Sequence, residues 1–269
     1  MPVLTLSTDI GQKDFIAGAV KGQLLTADPL FTIADITHQL SPQNFMQAAY
    51  ICGNAFKHYP DATCHIIILS FFEIPPAHWL IAEHNRQFIA CPDNGILTMI
   101  TGQKPANVVA IEIPPSEILG LLHCTRTLSL AIKKIYDTLI LNDVGKSITD
   151  IIEKYPLRSA VGTNWIDSQV IFIDNFENVV INITKEEFEH YRAGRKFKII
   201  FTRNEAIDEF SQNYASVVPG EKLAWFNSAG YLEIAINKGN LAGMFGLQGF
   251  SESAMQNKLL YQTVRIFFD

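Results

Sequence analysis

The stretch VLTLSTDIGQKDFIAGAVKGQLLTAD, residues 3–28, decides the fold. VLTLST predicts a strand. From Phe15 to Asp28 the residues Ile16, Val20 and Leu24 recur at helical spacing and predict one apolar helix face. FTIADIT, ending before His38, predicts a second strand. SPQNFMQAAYICGNAFKHY, residues 41–59, predicts a second helix with Ser41 as N-cap and Pro42 in its first position. CHIIILSFF, residues 64–72, is almost wholly apolar, as a strand buried on both faces of a parallel sheet should be. QFIACPDNGILTMI reads as a strand, a turn and a further apolar segment; VVAIEIP reads as another strand. LHCTRTLSLAIKKIYDTLIL, residues 122–141, predicts a long helix. This β-α-β-α-β order predicts an α/β N-terminal domain over residues 1–155, Rossmann-like, with a mostly parallel sheet covered by helices.

Past Tyr155-Pro156 the texture changes. SQVIFIDNFENVVINI, KFKIIFT, KLAWFNSAGYLEIAI and LLYQTVRIFF predict strands joined by turn residues, and long helical patterns thin out. Residues 160–269 are therefore expected to form an all-β, barrel-like domain.

The 269-residue chain is 48% hydrophobic, enough for one large core or two modest ones. A net charge of −6 offers no basic footprint for nucleic acid. No run of about 18 apolar residues predicts a membrane span. Met1-Pro2 leads straight into the first strand, which predicts no signal peptide and a cytoplasmic protein. Cys52, Cys64, Cys91 and Cys124 form no C-x-x-C pair and sit in apolar stretches, so reduced, buried thiols are expected.

The chemistry is expected where strands end. In an open parallel sheet, ligands collect beyond the carboxyl ends of the strands. Asp9 would stand at such an end, and Gly11 lets the backbone turn tightly. A carboxylate there can accept two hydrogen bonds from a vicinal diol such as a ribose. The structural alternative makes Asp9 a turn-former and Asp14 a helix N-cap. Asp93-Asn94 in CPDNGILT is either a tight turn or a polar pocket wall. His38 and His123 each read first as hydrogen-bonded structural residues. Asp174, Asn178 and Asn182 fall in a strand-turn-strand, and Asn227-Ser228 precede Gly230 in a hairpin. NKGNLAGMFGL, residues 237–247, is a glycine-rich loop without the order of a phosphate loop.

Taken together, these stretches occur in a telling order: TDIG-x-x-D-x-x-x-G-x-x-KG, AD-ITH-x-L-SP, PDNGILT, ID-x-F-x-N-x-x-x-NI and NS-x-GYLEIA-x-N-x-GN. From about residue 4 to about residue 247 the chain resembles the SAM hydroxide adenosyltransferase family, relatives of fluorinase and chlorinase. The resemblance implies an α/β N-domain and a β-barrel C-domain. It implies a homotrimer that binds S-adenosylmethionine (SAM) between the N-domain of one subunit and the C-domain of the next, with no separate cofactor. Members displace methionine from the ribose 5′ carbon with water, or with halide in the relatives. It further implies that Asp9 holds the ribose hydroxyls and that Asp14 and Asn94 line the same pocket. Asp174 would receive the methionine ammonium, and Phe176 and Asn178 would contact adenine. Ser228 would lie near the methionine carboxylate, and Asn237 against adenine.

The hydrolysing members carry an Asp-Pro-Gly-Val-Gly loop after the third main strand, an Arg seven residues beyond that Asp, and a His-Gly-Arg-Asp motif. Here the loop is SFFEIPPAHW. Ser70 stands in the Asp position and Ala77 in the Arg position. Phe71 and Phe72 replace the Pro-Gly, and the His survives as His123. Glu73 and His78 are candidate substitutes for orienting water. Two readings stay open: a SAM hydrolase with an altered nucleophile site, or a relative that binds SAM or adenosine without turnover, as a sensor. Transfer to halide is a third, although the neighbours of Ser70 do not match the halogenating relatives.

Overall fold

The computed structural model describes residues 2–74, 78–202, 205–247 and 263–269. The chain divides into two compact units, Met1–Pro156 and Leu157–Asp269.

In order, the first unit contains β1 (Val3–Thr8), α1 (Ile16–Ala27), β2 (Thr32–Thr37), α2 (Phe45–Phe56), β3 (Cys64–Ile68), β4 (Trp79–His84), β5 (Gln87–Pro92), α3 (Ile96–Thr101), β6 (Val108–Ile111), α4 (Leu121–Thr138) and β7 (Lys146–Ser147). The sheet order is β2-β1-β3-β5-β4-β6-β7. β2, β1, β3 and β5 pair in parallel, and β4 enters antiparallel between β5 and β6. β6 therefore runs with the parallel set, while β7 runs against it, giving a mostly parallel mixed sheet.

β3 is buried along its whole length, and its alternation feeds two cores. Ile66 and Ile68 pack with Val20 and Leu24 of α1 and with Leu128 and Ile132 of α4. Ile67 packs on the other face with Ala48 and Cys52 of α2 and Leu97 of α3. A strand between two helical layers has no solvent face, so it carries no polar alternation. All four cysteines are buried free thiols. Among the described residues, no helix is long and apolar enough to cross a membrane.

Local signals shift three boundaries. α2 begins at Phe45 rather than beside Ser41, because Asn44 Oδ1 accepts from Gln47 N at 2.9 Å and caps the helix. The further apolar segment after the Pro-Asp-Asn-Gly turn is the helix α3, with Gly95 left-handed at φ 96°. A Cβ there would come within 2.5 Å of Lys154 Cγ, so the position also needs glycine for space. The stretch after Ser70 leads into β4, which pairs with β5 through a turn at Asn85 and Arg86.

His65 on β3 stacks on Phe56, with ring centroids 3.7 Å apart, and its Nδ1 lies 2.8 Å from Thr5 Oγ1. Burial pushes its imidazole down from 6.5 to about 4, against a smaller opposing effect of Gln87. The folded state thus favours the neutral ring, and its contribution is complete above pH 6.5 and lost as pH falls toward 4. Thermal unfolding should show stability falling through that window by on the order of 3 kcal/mol from this residue. A His65→Phe variant should remove that part of the slope.

The second unit contains β8 (Ala160–Val161), β9 (Trp165–Ile173), β10 (Val179–Thr184), α5 (Lys185–Arg192), β11 (Phe197–Thr202), β12 (Glu205–Ile207), β13 (Lys222–Phe226), β14 (Tyr231–Ile236), α6 (Leu241–Phe245) and β15 (Thr263–Phe268). The sheet order is β12-β11-β15-β9-β10-β14-β13, with β8 on β9, and these pairings are antiparallel. The two ends of that order approach each other through the Lys222–Glu205 ion pair, so the sheet is nearly closed and barrel-like. Its core centres on the fully buried Phe188 of α5, ringed by Phe197, Phe210, Phe226 and Phe268. A capping box of Thr184 and Glu187 starts α5. α6 is a short helix within the stretch read as a glycine-rich loop, capped by Asn240.

Candidate active site at the carboxyl edge of the parallel strands

β1, β3 and β5 are adjacent and parallel, so their carboxyl ends share one edge of the sheet. The turn after β1 is stitched to both neighbours. Asp9 N donates to Ile68 O at 3.0 Å, and Gly11 N donates to His38 O at 2.8 Å, with Gly11 left-handed at φ 72°. His38 is buried beneath this turn, its Nδ1 2.9 Å from Thr8 Oγ1 and its Nε2 3.2 Å from Asp35 Oδ1. That is a structural role.

Ser70 is left-handed at φ 47°. Its backbone N donates to Asp9 Oδ2 at 2.8 Å, and its Oγ donates to Pro42 O at 2.7 Å. The hydroxyl is thus turned toward Pro42, another residue of the cleft wall, while the amide orients the carboxylate. Asn94, 1% exposed, donates from Nδ2 to Leu69 O at 2.8 Å and braces the same strand end from β5.

An open cleft of about 710 Å³ lies here, walled by Asp9, Ser70, Phe71, Phe72 and Glu73 on one side and by Pro42, Phe45 and Lys154 on another. Phe71 is buried against Trp79, with centroids 4.3 Å apart, whereas Phe72 is 49% exposed. Lys154 Nζ lies 4.0 Å from the centroid of the Phe45 ring. Its backbone is pinned twice to Thr98, N to Oγ1 at 2.9 Å and Oγ1 to O at 2.7 Å. Nothing in the sequence around Lys154 marks it as a site residue. It arrives because the chain returns past α3, and only that tertiary path could reveal it.

Burial raises the Asp9 carboxyl above the ordinary 3.8, partly opposed by the Ser70 amide. The ionised form is therefore disfavoured in the fold at neutral pH, and that penalty disappears once both states are protonated. Asp9→Asn should raise the unfolding temperature at pH 7. The gain should shrink as pH falls through the raised carboxyl value and vanish below 3.8. A constant gain at all pH would contradict this.

The other residues expected in the first unit fall elsewhere. Asp14 is exposed, and its Oδ1 accepts from Phe15 N at 2.6 Å; it stands one residue before the helix cap and does not wall the cleft. Asp93 Oδ1 accepts from Ile152 N at 2.8 Å, and its Oδ2 lies 3.3 Å from His78 Nε2. His123 Nε2 donates to Pro114 O at 2.8 Å and lines a different pocket, of about 720 Å³, with Arg126 and Lys134. Ala77 lies outside the described residues.

In the second unit, Asp174 closes its own turn. Oδ1 accepts from Phe176 N at 2.8 Å and Asn178 N at 2.9 Å, and Oδ2 accepts from Asn178 Nδ2 at 3.0 Å. Glu177 takes the left-handed position at φ 63°. This thrusts the Phe176 ring outward, 76% exposed, while Asn178 is buried. An aromatic displayed on a braced turn suits stacking on a planar group. Ser228 is exposed on the β13–β14 turn. Asn237 Nδ2 donates to Val217 O at 2.6 Å.

Fold and cleft define the class: an α/β unit with a ligand-type cleft at its parallel-strand edge, followed by a barrel-like antiparallel unit. Residues 4–136 match the model of the SAM hydroxide adenosyltransferase N-terminal domain, and residues 168–252 match that of the C-terminal domain. The chain belongs to the SAM hydroxide adenosyltransferase family. It is 23% identical to the (R)-S-adenosyl-L-methionine hydrolase of Thermus thermophilus over 263 residues, covering 92% of this chain and 96% of that one. It is also 23% identical to the hydrolase of the same name from Methanocaldococcus jannaschii over 203 residues, 71% of each chain. An uncharacterized conserved protein from Thermotoga maritima shares the fold, with a TM-score of 0.81 at 21% identity, covering 98% of this chain and 99% of that one.

Proposed function

We propose that the protein binds SAM at the carboxyl-edge cleft and hydrolyses it slowly to adenosine and methionine. The observation that carries this reading is Asp9. Its carboxylate walls the cleft and is oriented by the Ser70 amide at 2.8 Å, as a ribose diol requires. In the reaction, water oxygen bonds to the 5′ carbon as the carbon–sulfur bond breaks. The bonding pair moves to sulfur, and methionine leaves neutral on that sulfur, so no acid is needed. The water proton needs an acceptor. Glu73 is the carboxylate beside Ser70 in the cleft, and Lys154 supplies a cation toward the developing hydroxide. Hydrolysis is slow in this reading because residue 70 offers no carboxylate. In the second unit, Asp174, Phe176, Asn178, Asn237 and Ser228 serve the methionine and adenine ends. The same reading gives a cytoplasmic homotrimer that needs no cofactor; a sedimentation mass other than three chains would remove the trimer.

The non-hydrolysing, sensor-type reading is favoured by the Ser70 hydroxyl, which donates to Pro42 O rather than facing a nucleophile. Chromatography of protein incubated with excess SAM separates the two. Equimolar adenosine and methionine above the no-protein control, lost in Asp9→Ala, supports hydrolysis. Retained SAM affinity without product supports the binding protein, and neither binding nor product sinks both.

A further inference from the structure

We propose that Glu233 is a positioning residue for the Ser228 turn and sets how tightly the methionine half of SAM is held; this rests on the ligand reading above. Glu233 lies on β14 and is 4% exposed. A carboxylate so buried persists only when donors satisfy it. Among the described residues, three donors meet it. Tyr214 OH donates to Oε1 at 2.5 Å, Trp225 Nε1 to Oε1 at 3.0 Å, and Asn227 Nδ2 to Oε2 at 3.1 Å. Burial, and then the bond to Glu233, push the Tyr214 phenol far up, so it stays protonated and donating.

The consequence runs outward through Asn227. With its nitrogen held by Glu233, the Asn227 amide must turn its oxygen toward the hairpin loop. There Oδ1 accepts from Ala229 N at 3.0 Å and from Tyr231 N at 3.2 Å. These two bonds add to the backbone pair Asn227 N to Tyr231 O at 2.9 Å and Gly230 N to Asn227 O at 2.8 Å in shaping the turn that displays Ser228. The carboxylate is thus an orientation device acting through one amide.

An acceptor-only group is required. Glutamine in its place would aim its NH₂ at Asn227 or at the Trp225 N–H, and either way a donor meets a donor. If the Asn227 amide flipped to relieve this, its NH₂ would face the Ala229 and Tyr231 N–H groups, and the turn would be left with its backbone bonds alone and would shift the position of Ser228.

The test is calorimetric titration of the full-length protein with SAM and, separately, with adenosine. Glu233→Gln should weaken SAM binding about tenfold while changing adenosine binding by less than about twofold. Asn227→Ala cuts the same link at the turn and leaves Tyr214 and Trp225 in place. It should give the same selective loss, and it decides the matter if Glu233→Gln does not fold. Unchanged SAM affinity, or parallel losses for SAM and adenosine, would overturn the proposal. Wild-type protein that binds adenosine but not SAM would instead overturn the ligand reading itself.

Discussion

Asp9→Ala should weaken SAM binding about a hundredfold, and Asp9→Asn about tenfold. One carboxylate oxygen is held by the Ser70 amide at 2.8 Å, which fixes the plane in which the group meets a ligand. Each charge-assisted hydrogen bond to a diol contributes roughly 1.5–3 kcal/mol once solvent exchange is counted, so two at the low end give about 3 kcal/mol, and 1.4 kcal/mol is about tenfold in affinity. Alanine loses both bonds and also orphans the Ser70 amide. Asparagine keeps an acceptor for that amide but presents one NH₂ where the diol needs an acceptor. Calorimetric titration with SAM and with adenosine should show the same losses for both, because the ribose is common to both. Losses confined to SAM would place Asp9 elsewhere on the ligand. The residue that destabilises the fold at neutral pH is then the one that binds, a common trade of stability for function.

If the proposed hydrolysis is limited by the lack of a carboxylate at residue 70, Ser70→Asp combined with Ala77→Arg should raise adenosine formation by about 10² at saturating SAM, with little change in KM. A missing general base commonly lowers rate by about 10²–10⁴. The backbone at residue 70 can accept the change. Its φ of 47° is left-handed, a region that Asp tolerates better than most non-glycine residues. The Ser70 hydroxyl's bond to Pro42 O is lost, but the amide that holds Asp9 is backbone and remains. A kcat effect without a KM effect is the mark of a group acting in the transition state. A flat kcat would contradict the idea that the lack of a carboxylate at residue 70 limits the rate.

The α/β architecture was legible because β3 has no polar residue facing a solvent side and α4 repeats apolar residues at helical spacing. β4 was not. Its hairpin with β5 turns at Asn85 and Arg86, φ 50° and 62°, and such a turn is usually announced by glycine. Arginine in that conformation gives no sequence signal. Likewise, nothing next to Gly95 says that it must admit Lys154. Asp9 could be read from its place at a strand end, since topology alone puts it at the ligand edge. Lys154 could not, because its place in the cleft depends on Thr98 and Asp93 anchoring a distant segment.

The most direct measurement is a crystal structure of the protein grown with SAM. The ribose hydroxyls should lie within about 3 Å of the Asp9 carboxylate, in hydrogen-bond contact. SAM bound away from Asp9, or absent at saturating concentration, would contradict it.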